Sequence, residues 1–115
     1  MLIALFAGIY VRDLEASTDW YSRLFGDEPT FFPNDTEAVW ELAEHRSIYI
    51  EVAPQRAGQS VVTLFVDELH ERIDGIAKRG IEPAVRETYE NGVSKVIYRD
   101  PDGNEVGFGG AAPTS

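Results

Sequence analysis

Val-Ile-Tyr-Arg-Asp-Pro-Asp-Gly-Asn-Glu-Val-Gly-Phe-Gly, residues 96–109, contains two strand-like runs separated by a turn. Pro101 fixes φ near about −65°, and the aspartates on either side of it can hydrogen-bond their own backbone. Gly103 or Asn104 can adopt a positive φ. The stretch therefore predicts a tight connection between two antiparallel strands.

The same order of elements occurs twice along the chain. In each half, an apolar strand is followed by a stripe of apolar residues at helical spacing, then by a glycine and three short strands. Gly-Asp-Glu-Pro at 26–29 corresponds to Gly-Ile-Glu-Pro at 80–83. We therefore predict two βαβββ modules, residues 3–53 and 60–110, joined by a linker at 54–59.

Each predicted module is too small to be stable alone. A unit of about 50 residues buries too little surface, so the modules should share their burial within a single domain, residues 1–115. The sequence thus predicts an α+β fold. Each sheet should have one face covered by its own helix, and two such sheets set edge to edge would enclose a cleft between their uncovered faces.

Charge and composition exclude several classes of function. The 115 residues include 10 basic and 20 acidic ones, and a formal charge of −10 disfavours nucleic-acid binding. The absence of cysteine excludes disulfides and thiolate metal sites. The apolar opening at 1–11 has no basic flank, so it fits neither a signal peptide nor a membrane span. We expect a soluble cytoplasmic protein.

The chain resembles the vicinal oxygen chelate superfamily, which includes glyoxalase I, extradiol dioxygenases and bleomycin resistance proteins. The resemblance is carried by Val11-Arg12-Asp13-Leu14-Glu15-Ala16-Ser17, by Trp20-Tyr21 and Phe25-Gly26, and by Asp100-Pro101-Asp102-Gly103-Asn104. It extends from Ile3 to Gly110. It implies a curved, cup-like mixed sheet with the helices on its outer face, and a homodimer.

Metal-dependent members of this superfamily place His, Gln or Glu ligands at four positions on the cup face. The resemblance puts these positions at Phe6, Glu51, Val61 and Gly107, and only Glu51 has a donor side chain. Because apolar side chains cannot hold a divalent cation, we expect neither a metal nor another cofactor.

Alternation of side chains along the strands predicts which residues line the cup. The predicted set is Phe6, Gly8, Tyr10, Tyr49, Glu51, Thr63, Phe65, Ile97, Arg99 and Gly107. Aromatic walls with a few polar groups are typical of a pocket for a flat organic molecule. The alternative is that the same aromatic residues fill a closed core.

The resemblance and the lining together predict a metal-free protein that binds a small aromatic or cationic molecule. Bleomycin resistance proteins similarly sequester a drug, which would make antibiotic resistance the role. Glu51 is the expected polar contact, beside Tyr49 and opposite Phe6, with Tyr10 or Arg99 as its hydrogen-bond donor. The alternative is a lyase, isomerase or dioxygenase-type enzyme with Glu51 as general base. A third hypothesis is a chain that has kept the fold and lost its ligand.

Overall fold

The computed structural model describes residues 1–111, which form eight strands and two α-helices. The elements are β1 Leu5–Val11, α1 Leu14–Phe25, β2 Phe31–Asn34, β3 Glu37–Ala43, β4 Arg46–Val52, β5 Val61–Phe65, α2 Leu69–Lys78, β6 Val85–Thr88, β7 Val93–Arg99 and β8 Glu105–Ala111. The predicted linker begins with a 3₁₀ turn at Pro54–Arg56.

The predicted duplication is confirmed, because each half of the chain forms a four-stranded sheet. The strand orders are β1-β4-β3-β2 and β5-β8-β7-β6, so the first strand of each half pairs with the last. This pairing is parallel, and the other pairings are antiparallel. Within residues 1–111 the two sheets share no strand pairing, so β1 and β5 each keep a free edge. The α+β fold is as predicted, but the cup is not closed.

Local signals explain where helix α1 begins and ends. The Asp13 side chain accepts a hydrogen bond from the Ala16 N–H at 2.9 Å, which satisfies one of the free donors of the first turn. Gly26 ends the helix with φ of 81°, and its N–H donates to the Ser22 carbonyl. A positive φ favours glycine, so the sequence prediction of this helix end is confirmed.

The helix-covered faces of both sheets contribute to one core. Its buried members come from both halves and both helices: Ile9, Val11, Trp20, Tyr21, Leu24, Phe25, Ala38, Trp40, Ile48, Ile50, Leu69, Ile76, Ile81, Val96, Tyr98, Val106 and Phe108. Because burial alternates along β1, β4 and β7, the other face of each sheet points away from this core.

The turn between β7 and β8 is held by the buried carboxylate of Asp100. It accepts hydrogen bonds from the Tyr21 hydroxyl at 2.8 Å and from the backbone N–H groups of Asp102 and Asn104, each at 2.9 Å. Burial and the neighbouring Asp100 carboxylate raise the pKa of Tyr21 above its usual range, which keeps the phenol protonated as a donor. Gly103 is the turn residue with positive φ.

Asn104 connects this turn to the other half of the chain. Its Oδ1 accepts hydrogen bonds from the N–H groups of Gly58 at 3.0 Å and Ser60 at 2.9 Å. Its Nδ2 donates to the Tyr10 carbonyl and to Asp100, both at 2.8 Å. One buried amide therefore fixes β1, the segment before β5 and the β7–β8 turn relative to one another.

Candidate functional site

Five of the predicted lining residues lie on the uncovered face of the first sheet, which we call the first face. On β1, the residues Phe6, Gly8 and Tyr10 alternate with Ala7, Ile9 and Val11, which face the core. Tyr49 and Glu51 alternate with core-facing residues of β4 in the same way. Tyr10, Tyr49 and Glu51 are half-buried, whereas 56% of Phe6 is exposed.

Tyr49 lies flat across β1 because Gly8 has no side chain. The two residues are partners in the parallel β1–β4 pairing. A Cβ atom at Gly8 would lie 2.5 Å from Cζ of the Tyr49 ring, which is closer than real Cβ contacts. Gly8 therefore positions an aromatic ring on the first face rather than lining the face itself.

Glu51 has different neighbours from those expected. It lies opposite Tyr10 on β1 and opposite Glu37 on β3, so two carboxylates stand side by side on the first face. The prediction that Glu51 lies opposite Phe6 is wrong, because Phe6 pairs with Ser47, four residues earlier on β4. Alternation on β3 could have suggested Glu37, but its register with Glu51 needed the structure.

The two residues expected to donate a hydrogen bond to Glu51 make other contacts instead. The Tyr10 hydroxyl accepts a hydrogen bond from Arg56 at 2.9 Å, and the Arg56 guanidinium lies 4.2 Å above the Tyr10 ring centre. Arg99 Nε lies 3.3 Å from the Glu105 carboxylate. Across residues 1–111 no group donates a hydrogen bond to the Glu51 carboxylate, so this carboxylate is free to accept one from a ligand.

The remaining predicted residues lie on the uncovered face of the second sheet, the second face. Thr63 on β5, Gly107 on β8 and Ile97 on β7 form one row across three strands. Phe65 on β5 is 71% exposed, and Arg99 is also exposed. Lys95 lies on the same face, two residues before Ile97, and sequence reasoning missed it although the alternation of β7 includes it.

The two faces do not cover each other within one chain. Phe6 on the first face and both Val61 and Phe65 on the second remain largely exposed. These aromatic side chains therefore do not fill a closed core in the single chain, and the alternative of a filled core does not hold for it. Since each face is open, one chain does not enclose the cleft that the sequence predicted, and the predicted lining residues are divided between two faces.

A groove of about 1330 Å³ lies between the start of β1 and strand β5, where it includes part of the second face. Its floor is made mostly of side chains from the core side, including Ala7, Phe25, Trp40, Ile48, Leu64 and Phe108. Only Thr63 and Phe65 of the predicted lining residues contribute to it. The groove thus overlaps the predicted lining on β5 alone and includes no predicted residue of the first face.

The donor groups present do not fit a divalent metal site of the kind that the resemblance describes. Phe6, Val61 and Gly107 offer no side-chain oxygen or nitrogen, which leaves Glu51 with Glu37 beside it. In the described part of the chain, no group of three or more His, Cys, Asp or Glu side chains comes together. A zinc site of that kind takes three or four protein donors, more than these two carboxylates supply.

None of the helices within residues 1–111 combines the length and the apolar composition that crossing a membrane requires.

Comparison with known proteins gives a consistent result. The family model described as Glyoxalase/Bleomycin resistance protein/Dioxygenase superfamily matches residues 3–108. A solved glyoxalase/bleomycin resistance protein from Catenulispora acidiphila DSM 44928 is 49% identical with a TM-score of 0.92, and the match covers 96% of this chain and 99% of that chain. The search of curated proteins found no match.

Two more distant structures share the fold at 19% identity. A bleomycin-binding protein complexed with bleomycin has a TM-score of 0.76, with 92% of this chain and 96% of that chain covered. A lactoylglutathione lyase from Agrobacterium tumefaciens has a TM-score of 0.72, with 92% and 91% covered.

The family match spans nearly all of the described chain, and the structural match at 49% identity includes both modules. Both agree with the resemblance carried by the helix α1 motif and the Asp100–Asn104 turn. The chain therefore belongs to the glyoxalase/bleomycin resistance protein/dioxygenase superfamily.

Proposed function

We propose that this protein binds a small aromatic molecule with a cationic group on its uncovered sheet faces, without a metal. The observation that carries the proposal is the first face, where the Tyr10 and Tyr49 rings lie beside the carboxylates of Glu51 and Glu37. The proposed contacts are Phe6, Tyr10, Glu37, Tyr49, Glu51, Thr63, Phe65, Ile97 and Arg99, with Gly8 and Gly107 as the positions that let neighbouring side chains lie flat.

The electrostatics of the first face favour a cation. Carboxylates directly opposite each other on adjacent strands repel, and a cation between them relieves that repulsion. Glu37 is also held in place, because its Oε1 accepts a hydrogen bond from Asn34 at 2.8 Å. Aromatic rings add cation–π attraction, as Arg56 already shows on Tyr10.

The fold relatives support a binding role. The bleomycin-binding protein was solved with bleomycin bound, so this fold can hold a drug-sized organic molecule. A comparable binder acting in the cytoplasm would confer resistance by sequestering such a compound. The enzymatic alternative has less support, because no described neighbour hydrogen-bonds Glu51 and orients it as a general base.

The Glu51→Gln variant tests the proposed contact. The substitution keeps size and hydrogen-bonding atoms but removes the charge, so folding should be nearly unchanged. Affinity for a cationic aromatic ligand found by a thermal-shift screen should fall by about 1.5–3 kcal/mol. Calorimetric titration of both proteins measures this loss, with Glu44→Gln, in the exposed β3–β4 turn, as the control.

Three results would separate the hypotheses. Unchanged affinity together with lost turnover in Glu51→Gln would favour the enzymatic alternative. Lower stability with unchanged affinity would make Glu51 structural. A screen of aromatic and cationic compounds that yields no ligand at all would contradict the proposed function.

Metal removal should have no effect on this protein. Three of the four positions implied by the resemblance lack donor atoms, so purified protein should hold less than about one-tenth equivalent of divalent metal. EDTA should leave the melting temperature unchanged. Stoichiometric zinc, nickel, iron or manganese that survives dialysis, measured by elemental analysis, would refute this expectation.

We further propose a homodimer in which the exposed faces of one copy are covered by a second. β1 and β5 each have an unpaired edge. The apolar residues Phe6, Val61 and Phe65 are each more than half exposed to water, and a second copy would cover them. Light scattering at micromolar concentration should give twice the chain mass of 12.8 kDa. A monomer would contradict the assembly and leave both faces open to solvent.

A further inference from the structure

Two arginines that line the groove between the start of β1 and β5 have no partner for their side chains. Within residues 1–111, Arg46 and Arg72 make neither an ion pair nor a side-chain hydrogen bond, and both line this groove. The other six arginines are engaged, four with carboxylates, one with Tyr10 and one with backbone carbonyls at the end of α1. In a chain with a formal charge of −10, two unengaged guanidinium groups in one groove are a local site for an anion.

Arg72 is the stronger candidate of the two, because part of its guanidinium is buried without a hydrogen bond. Its Nε–H is shielded from water and has no acceptor in residues 1–111, whereas Arg46 is exposed. Most buried polar groups in proteins are hydrogen-bonded, so an unpaired charged donor needs an explanation. Arg79, just after α2, shows the usual arrangement, since its Nε–H donates to the Arg23 carbonyl.

The position of Arg72 in the groove is fixed by packing against an aromatic ring. The centre of its guanidinium lies 5.5 Å from the ring centre of Phe108, which also lines the groove and is only 1% exposed. This distance is within the range of a cation–π contact. The guanidinium is therefore held over the core side of the groove with donor capacity that no described residue uses.

The groove also presents apolar surface to a ligand. Leu64 is half-buried on its core side. Four further apolar side chains of the groove are well exposed to water: Leu5, Leu42, Val61 and Phe65. Exposed apolar surface around a concave site favours a ligand with an apolar body.

Acidic residues of the groove restrict which anions can bind. Asp27, Glu28, Glu41 and Asp67 line it, but none of their carboxylates comes within 4.0 Å of a guanidinium nitrogen of Arg46 or Arg72. These carboxylates repel a small free anion. An acid therefore needs apolar contact as well as the arginine to bind here.

We propose that the groove binds a monocarboxylate with an apolar body, and that its carboxylate accepts hydrogen bonds from the Arg72 guanidinium. The planar fork of N–H groups in arginine matches the two oxygens of a carboxylate. The apolar body lies against Leu64 and the exposed apolar side chains of the groove. This site goes beyond the proposed function, because it has the opposite charge preference and shares only Thr63 and Phe65 with the contacts proposed there.

Four small compounds test the chemistry of the groove. They are octanoate, 1-octanol, octylammonium and acetate, each titrated calorimetrically into the full-length protein. We expect octanoate to bind about tenfold or more tightly than 1-octanol, the gain expected for one charge-assisted hydrogen bond. Octylammonium should bind more weakly than octanoate, and acetate, which has no apolar body, should show no measurable binding.

Substitutions on α2 test the role of Arg72. Arg72→Gln removes the charge and should weaken octanoate about tenfold or more. Arg72→Lys keeps the charge but loses the planar fork, so its affinity should lie between that of Arg72→Gln and the unmodified protein. Lys78→Gln is the matched control, because it removes one positive charge from the same helix outside the groove. It should change octanoate affinity by about twofold or less, since salt screens distant charges.

Nuclear magnetic resonance gives a direct view of the proposed contact. In isotopically labelled protein, the Nε–H signal of Arg72 should shift when octanoate is added, and Arg72→Gln identifies this signal by its absence. The Nε–H signal of Arg79 should stay in place, because that group already donates to a backbone carbonyl.

Three results would overturn the proposal. The first is octanoate binding no more tightly than 1-octanol or octylammonium. The second is equal octanoate affinity in Arg72→Gln and Lys78→Gln. The third is a change of molecular mass by light scattering when octanoate is added, which would assign the groove to a second copy of the chain. If Arg72→Gln does not fold, judged by its melting curve, Arg72→Lys and the Nε–H signals decide the question.

Discussion

Replacing Asn104 with alanine should lower the free energy of unfolding by about 3–5 kcal/mol, one of the largest effects of any single substitution in this chain. The fully buried amide makes four hydrogen bonds, two accepted and two donated. Alanine would leave the part-buried N–H groups of Gly58 and Ser60 and the part-buried Tyr10 carbonyl without these partners. Each unsatisfied buried group costs about 1–3 kcal/mol, although water entering the gap recovers part of it.

Chemical denaturation at a fixed protein concentration measures this loss, with Asn91→Ala as the control. Asn91 makes a hydrogen bond of similar kind to the Val93 N–H at 3.1 Å, but in an exposed turn. Its substitution should cost about 0.5 kcal/mol or less. A similar small loss for Asn104→Ala would mean that its hydrogen bonds do not hold the two halves together.

Replacing Trp40 with alanine should also cost about 3–5 kcal/mol, the usual range for a large aromatic side chain in a core. Only 1% of Trp40 is exposed, and its ring centre lies 5.9 Å from that of Tyr21 and 5.7 Å from that of Phe25. Its Nε1–H also donates to the Asp27 carbonyl at 3.0 Å. Alanine would open a cavity between α1 and the first sheet and leave that carbonyl without its donor.

Two further variants show whether packing is the cause. Trp40→Phe keeps an aromatic ring and should lose less than Trp40→Ala under the same denaturation conditions. Tyr89→Ala removes an aromatic side chain that is 45% exposed, so it should cost about 1 kcal/mol or less. If Trp40→Ala were no worse than Tyr89→Ala, the core between α1 and the first sheet would not be tightly packed.

Local signals in the sequence were enough for the elements and their order. The glycine at position 26 and the turn at 100–104 act within a few residues, so their structural meaning can be read without knowing the partner strands. The helical and alternating patterns likewise identify which side of each element is apolar. The division at residues 54–59 stays a prediction, although a 3₁₀ turn begins there.

The candidate site was predictable only as a set of side chains on one side of each strand. That Glu51 lies beside Tyr10 and Glu37, instead of opposite Phe6, depends on pairings between strands. β1 and β4 pair in parallel across an intervening helix and two strands, and the β3–β4 pairing contains an irregularity between Glu41 and Ala43. Register of this kind is set by packing of the whole module, which no short stretch of sequence contains.

The sequence by itself determined the two βαβββ modules, the superfamily and the lack of donor side chains at most of the implied metal positions, because each depends on residue type and spacing. Only the tertiary structure decided that Gly8 leaves room for the Tyr49 ring and that Gly107 leaves room for the Lys95 side chain. Each of these contacts joins residues from different strands. It also decided that the two sheets stay separate within one chain. Strand pairing between sheets requires their edges to meet, and the edges of β1 and β5 remain free.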